Sequence, residues 1–229
     1  MAQTLKEEVR KRIENAAINQ LIINGMHKTN MRDIAKEAGI TPGNLYRYYT
    51  NKDQLIISIT APIVDGLNLI VEKETAGKLN LASTKPDLPL PPPGIDVLAY
   101  VEDILLSRLR RALIEIGSLA IQYPKPMAIL LDDSIVSKKL YAWGISIITQ
   151  GYTTCFKANG VKESEIDTMI KVVTMSFCEG IIQLLKAVLD DHDEKRYLKM
   201  LDYFLIIERA GIAAILKQEL IKGTITVNL

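Results

Sequence analysis

The sequence has little of what catalytic, metal-binding and secreted proteins are built from. Its 229 residues hold two cysteines, Cys155 and Cys178, and two histidines, His27 and His192. The cysteine spacing fits no zinc motif. Each cysteine lies in an apolar helical pattern, so both read as buried free thiols, with a disulfide or redox switch as the other reading. The histidines stand in polar connections without a second ligand, so no metal is expected. Nucleophile-elbow, P-loop, dinucleotide-binding and HExxH motifs are all missing. The thirteen glycines are scattered singly. Glu102-Asp103, Asp132-Asp133 and Asp190-Asp191 are adjacent pairs, which on a helix diverge by about 100° and do not meet for acid–base work. No catalytic residue and no cofactor is expected, and the chain reads as a non-enzyme. Its apolar runs are interrupted by charge before about 18 residues, so no membrane span is expected. The first residues, MAQTLKEEVRKR, lack the apolar core of a signal peptide. A cytoplasmic protein is the expectation. No segment sustains period-two alternation, so the fold class is all-α.

What is present is a large apolar fraction, 48% of residues, enough for a sizeable core. The net charge is only +1, but it is unevenly spread. Residues 1–60 carry nine Lys or Arg against six Asp or Glu, and the rest of the chain is slightly acidic. A basic excess at one end is the footprint of a nucleic-acid face.

That end holds the most informative stretch, NMRDIAKEAGITPGNLYRYYTNKDQL, residues 30–55. Ile34, Ala35 and Ala38 share one helical face. Gly39 follows, where a left-handed residue ends a helix. Thr41 offers an N-cap and Pro42 fits the first helical position. Leu45 anchors a very short second helix. Its other residues, Thr41, Asn44, Tyr46, Arg47, Tyr48 and Tyr49, are polar or able to donate. A helix this short needs props, and a donor-rich face on a propped short helix is the design of a helix-turn-helix. Asn51 reads as the next N-cap with Gln54 as its capping-box partner. Lys52 then falls in a first turn, where the macrodipole disfavours a cation unless an anion such as phosphate docks there. Gly43 leaves room for close approach to a DNA backbone or base edge.

These residues resemble the tetracycline-repressor (TetR) family of transcription regulators. The likeness covers about 50 residues in one register: a helix ending at Gly25, then Thr29, Arg32-Asp33-Ile34-Ala35, Ala38-Gly39-Ile40-Thr41, Gly43, Leu45-Tyr46, Tyr48-Tyr49 and Lys52. Departures are Leu21, Met26 and Tyr48, where the family often has Phe, an aromatic and His. The resemblance implies an N-terminal three-helix DNA-binding module with a helix-turn-helix, residues 1–52. It implies DNA contacts from Arg32, Thr41, Pro42, Gly43, Asn44, Tyr46, Arg47, Tyr48 and Lys52. Residues 53–229 would form a C-terminal helical ligand-binding and dimerisation domain, interrupted by a Pro-rich loop at 76–94.

The remaining helices are read from periodicity. A first helix over 4–24 carries the stripe Leu5, Val9, Ile13, Ala16, Ala17 and Leu21. Later helices are expected over 31–38, 42–48, 52–73, 95–122, 126–135, 137–158, 163–189 and 194–222. The last two are apolar nearly all round, so each must bury two sides. A four-helix contact between two copies follows, with Phe177, Ile181, Leu184, Leu205, Ile212 and Ile215 as interface residues. An effector cavity of the kind the resemblance implies would draw on Tyr100, Ile104, Met127, Leu131, Trp143, Ile147, Tyr152, Phe156 and Phe177. Plain core packing competes for each of these. The expected function is a ligand-responsive, sequence-specific DNA-binding transcriptional regulator, a repressor released from a palindromic double-stranded DNA operator by a small apolar effector. The alternative is a helical, dimeric small-molecule-binding protein without operator binding.

Overall fold

The computed structural model describes residues 2–75, 106–132, 149 and 163–221. Within these residues there are eight helices and no strand. They are α1 (Ala2–Lys28), α2 (Met31–Glu37), α3 (Pro42–Tyr46), α4 (Lys52–Thr75), α5 (Leu106–Gln122), α6 (Pro124–Leu131), α7 (Glu163–Asp191) and α8 (Glu194–Ile221). The all-α expectation holds. Expected features at 76–105, 133–148 and 150–162 lie outside the described residues. These include Cys155 and the cavity candidates Tyr100, Ile104, Trp143, Ile147, Tyr152 and Phe156.

The described residues divide into two compact units. The first comprises 2–66 and 122–132; the second comprises 67–75, 106–121, 149 and 163–221. The division differs from a cut after residue 52, because most of α4 packs with the helices before it. Leu55, Ile56 and Ile59 join Ile13, Ala16, Ala17, Leu21, Ile34, Ala35, Ala38 and Leu45 in one core. Ile129 of α6 joins the same core, and α6 packs against α1. Met127 and Leu131 therefore sit on a helix of the first unit, with Met127 buried and Leu131 half-buried. That corrects their expected place in the C-terminal domain.

The apolar stripe of α1 begins later than its spacing suggests. Val9 is half-buried and Ile13 buried, but Leu5 is exposed. The helix breaks where glycine is expected to end it: Gly25 has φ 73° and ψ 170° inside α1, a conformation that costs residues with a Cβ. Thr29 closes this break, its buried hydroxyl donating to the carbonyls of Gln20 and Gly25, each at 2.9 Å.

In the second unit, Phe177 of α7 packs on Phe204 of α8 with ring centroids 5.2 Å apart. Tyr197 of α8 donates from its hydroxyl to the Leu113 carbonyl of α5 at 2.6 Å. Arg110 of α5 makes a two-pronged pair with Asp202 of α8, at 2.7 and 3.2 Å. Gly117 is needed beneath the Tyr197 ring, since a Cβ there would run into it.

This packing corrects two interface expectations. Phe177 and Leu205 are buried within one chain, so neither is presented to a partner. Ile181 and Leu184 are half-buried. The side chains of Ile212 and Ile215 lie outside what the structure describes. Among the described residues of these two helices, the exposed large apolar side chains are instead Val172 and Met175 on α7 and Met200, Tyr203, Ile206 and Ile207 on α8, with Ile207 68% exposed.

Length and composition alone make Lys52–Ile70 and Val172–Asp191 able to cross a membrane. Charge still interrupts each apolar run as expected, at Asp65 in the first segment and at Glu179 and Lys186 in the second. The apolarity has a packing origin: Leu55, Ile56, Ile59 and Ile63 are core residues, as are Phe177, Leu185 and Val188.

Candidate nucleic-acid interface

The turn between α2 and α3 is built from local bonds. Asn30 caps α2, its Oδ1 accepting from the amides of Arg32 and Asp33 at 3.0 Å each. At the other end Ala38 is the C-cap and Gly39 takes φ 66°. The Ile40 amide reaches back to the Ala35 carbonyl at 3.0 Å and the Gly39 amide to the Lys36 carbonyl at 3.1 Å. This paired pattern is the Schellman motif, which reverses the chain and satisfies free carbonyls. Arg12 of α1 fastens the turn, donating from Nη2 to the Ala38 carbonyl at 2.5 Å and the Gly39 carbonyl at 3.3 Å. Asn19 and Gln20 tie α1 to Glu37 at 3.1 and 2.5 Å.

Thr41 then caps α3, its hydroxyl oxygen accepting from the Asn44 amide at 3.2 Å, with Pro42 in the first turn. Leu45 is wholly buried and holds the five-residue helix down. The other side faces outward. Arg32, Thr41, Pro42, Gly43, Tyr46 and Arg47 are exposed, and Asn44 and Tyr48 are half-exposed. The structure thus brings the expected DNA-contact residues of α3 onto one outward surface, with Arg32 at the start of α2. The helix is shorter than expected, since Arg47 is its C-cap and Tyr48 lies beyond it.

Two expected donors have other tasks. Tyr49 is buried. Its hydroxyl donates to Glu14 Oε1 at 2.6 Å and accepts from Arg10 Nε at 3.1 Å. Burial first, then the bond to Glu14, raises the Tyr49 phenol above its ordinary range, so it stays a donor. Ser58 of α4 also donates to Glu14, at 2.8 Å. This network joins α1, the turn after α3, and α4.

Lys52 is the second case. Its ammonium donates to the Met26 carbonyl at 2.6 Å and the Thr29 carbonyl at 3.1 Å. A cation in the first turn of α4 is explained by these free carbonyls at the end of α1, which favour positive charge. In this geometry Lys52 is a brace between the start of α4 and the end of α1. Asn51 caps α4 as expected, accepting from the Gln54 amide at 2.8 Å. The return bond differs: Gln54 Oε1 accepts from the Thr50 amide at 2.6 Å, one residue earlier than a capping box.

Sequence reading misses Arg12, Asn30 and the Glu14–Tyr49 pair. Asn30 carries a signal, a capping residue just ahead of an apolar face. Arg12 and Glu14 carry none, because their partners are distant in sequence.

Residues 13–59 match the family described as bacterial regulatory proteins, tetR family. The Bacillus subtilis (strain 168) fatty acid metabolism regulator protein is 38% identical over 47 residues, 20% of this chain and 24% of its own. The Escherichia coli (strain K12) HTH-type transcriptional regulator UidR is 40% identical over 57 residues, 25% of this chain and 29% of its own. The chain therefore covers about a quarter of the length of these relatives. Over the whole chain the likeness is one of fold. A TetR-like transcriptional regulator from Rhodococcus sp. RHA1 superposes with a TM-score of 0.56 at 17% identity, over 89% of this chain and 96% of its own. A fatty acid degradation regulator from Bacillus halodurans gives 0.52 at 15% identity, over 89% and 95%. Residues 13–59 thus match the tetR family of bacterial regulatory proteins, and the fold resembles that of solved TetR-like regulators.

Proposed function

We propose that the protein is a sequence-specific DNA-binding transcriptional regulator, a repressor that releases its operator when a small apolar effector binds the second unit. The observation that carries this is the outward surface of α3. A five-residue helix is fixed by Thr41, Leu45 and the Gly39 turn, while Asn44, Tyr46 and Arg47 stay available. Asn and Arg side chains pair with purine edges in a major groove. A binding protein without an operator has no use for a propped short helix with a donor-rich face, which disfavours the alternative.

The protein acts in the cytoplasm as a homodimer in this reading. The exposed apolar residues of α7 and α8 form the contact, and Ala210, Gly211 and Ala214 allow close helix approach. Two modules on a symmetric dimer read half-sites about one helical turn, roughly 34 Å, apart. Effector binding shifts α4 and changes that separation. Gel-shift titration against the DNA upstream of the protein's own gene tests the reading. A palindromic segment bound well above random duplex is expected; equal affinity for both would refute it.

A further inference from the structure

Asn68 stands on α4 in the second unit, between the buried Ile63 and Ile70. Its side chain is half-buried. Its carbonyl oxygen Oδ1 is wholly buried and has no hydrogen-bond partner, alone among the described residues. Other polar side chains in these helices bond to their own backbone. The Thr60 hydroxyl donates to the Ile56 carbonyl at 2.8 Å, and the Ser118 hydroxyl to the Ile114 carbonyl at 3.1 Å. Asn68 cannot use that route with its oxygen, because a carbonyl oxygen does not donate to another carbonyl. An unpaired buried acceptor costs free energy, and asparagine is also a poor helix former. A leucine of similar size would fill the same place at lower cost.

We propose that the Asn68 amide is a recognition group for the effector. Its buried oxygen accepts a hydrogen bond from an O–H or N–H group on a molecule whose remainder is apolar. The inference rests on the effector-binding reading of the second unit and names the chemistry that reading leaves open. Alcohols and amides fit. Ethers and ionised carboxylates present only acceptors to the Asn68 oxygen and leave it unpaired. A site with a buried polar group rejects ligands that cannot pair with it far more strongly than it rejects a change in chain length.

The test uses the full chain and three ten-carbon probes: 1-decanol, decyl methyl ether and decanoate at pH 8. Calorimetric titration should give decanol about ten-fold tighter binding than the ether or decanoate, as for one neutral hydrogen bond. Asn68→Leu should bring decanol down to the ether's level. Equal binding of alcohol and ether would mean that only a water pairs with Asn68, and would overturn the proposal. So would tighter binding of decanoate, a preference that survives in Asn68→Leu, or no binding of any probe. A second measurement needs no probe. Asn68→Leu should raise the thermal unfolding midpoint of the free protein, because the unpaired oxygen is gone; a lower midpoint would reveal a protein partner and overturn the proposal. Gel shifts of the wild-type protein on its upstream DNA are run separately. Failure there with the alcohol preference intact removes the regulator reading and leaves Asn68 as a ligand group.

Discussion

The Tyr49 hydroxyl donates to Glu14 Oε1 at 2.6 Å across 35 residues of sequence. Ser58 donates to the same oxygen at 2.8 Å, and Arg10 donates to both Tyr49 and Ser58, at 3.1 and 3.2 Å. The carboxylate of α1 is thus the point at which the end of the recognition turn and the second turn of α4 are held together. A shift of α4 cannot leave Tyr49 undisturbed while these bonds persist.

Tyr49→Phe should keep the ring in the core and remove the tie. Folding stability should fall by about 1–2 kcal/mol, the usual cost of losing a buried hydrogen bond and leaving its partner short. Operator affinity should fall as well, because α3 loses one of its props. Urea denaturation and gel shift on the same preparation check both. Unchanged stability with unchanged affinity would show that Leu45 and the ring alone fix the turn.

Lys52→Met separates two roles for one cation. The braced geometry predicts a stability loss of about 1 kcal/mol, modest because the side chain is half-exposed. It predicts no change in the salt dependence of DNA binding. If Lys52 instead neutralised a phosphate, its removal would lower that slope by about 0.9 per phosphate. A flatter slope with full stability would restore the phosphate role.

Much of the module is legible in the sequence because its instructions are local. Gly39, Thr41, Pro42 and Asn51 act on residues within a few positions, and each stands in the structure as its spacing implies. The bonds of Lys52 and Tyr49 and the packing of Met127 are not legible in the sequence because their partners are remote. Lys52 reaches back 26 residues to Met26, and Tyr49 reaches 35 to Glu14. Periodicity also says that a helix buries two sides without saying which side meets its own chain. That is why it points Phe177 and Leu205 at a partner, although Phe204 and the rest of the second unit cover them.

Asn44 and Arg47 should behave differently from the braces. Asn44→Ala and Arg47→Ala should leave stability within about 0.5 kcal/mol, as exposed positions do. Each should relax preference at defined operator positions, by about 1–3 kcal/mol for every bidentate base pairing removed. Binding to a panel of single-base operator variants measures this. A uniform loss of affinity across all sequences, random duplex included, would make the residue a backbone contact.

Burial raises the Cys178 thiol from 9.0 to about 11. The unfolded chain ionises first as pH rises. The stability from keeping this thiol neutral is therefore fully present below pH 9 and is lost between pH 9 and about 11. Two pH units correspond to at most about 2.7 kcal/mol. Cys178→Ala should lose less stability over that window than the wild type, measured by denaturant midpoints at about pH 8.5 and 10.5, on either side of the ordinary thiol range. Parallel losses in the two proteins would place the base sensitivity elsewhere, with the buried Tyr197 phenol, also raised by burial, as the next group to remove.

The dimer prediction turns on which side of α8 is charged. Ile207 is 68% exposed and Leu205 is buried, two residues apart on one helix. Ile207→Glu in a lone chain would only place a carboxylate in water and should leave the fold of each protomer intact. In a symmetric dimer through α7 and α8 it puts two unpaired carboxylates into an apolar contact, at a cost of several kcal/mol. The variant should run as a folded monomer by light scattering, with helical content preserved and operator binding lost although residues 1–60 are unchanged. Leu205→Glu should instead unfold the second unit, since it charges the interior of the chain itself. Gly211→Leu offers a milder probe. The space beside Gly211 is open within one chain, so a side chain there harms nothing unless another helix approaches. If Ile207→Glu and Gly211→Leu both stay dimeric with wild-type operator affinity, the exposed face of α7 and α8 is not the contact.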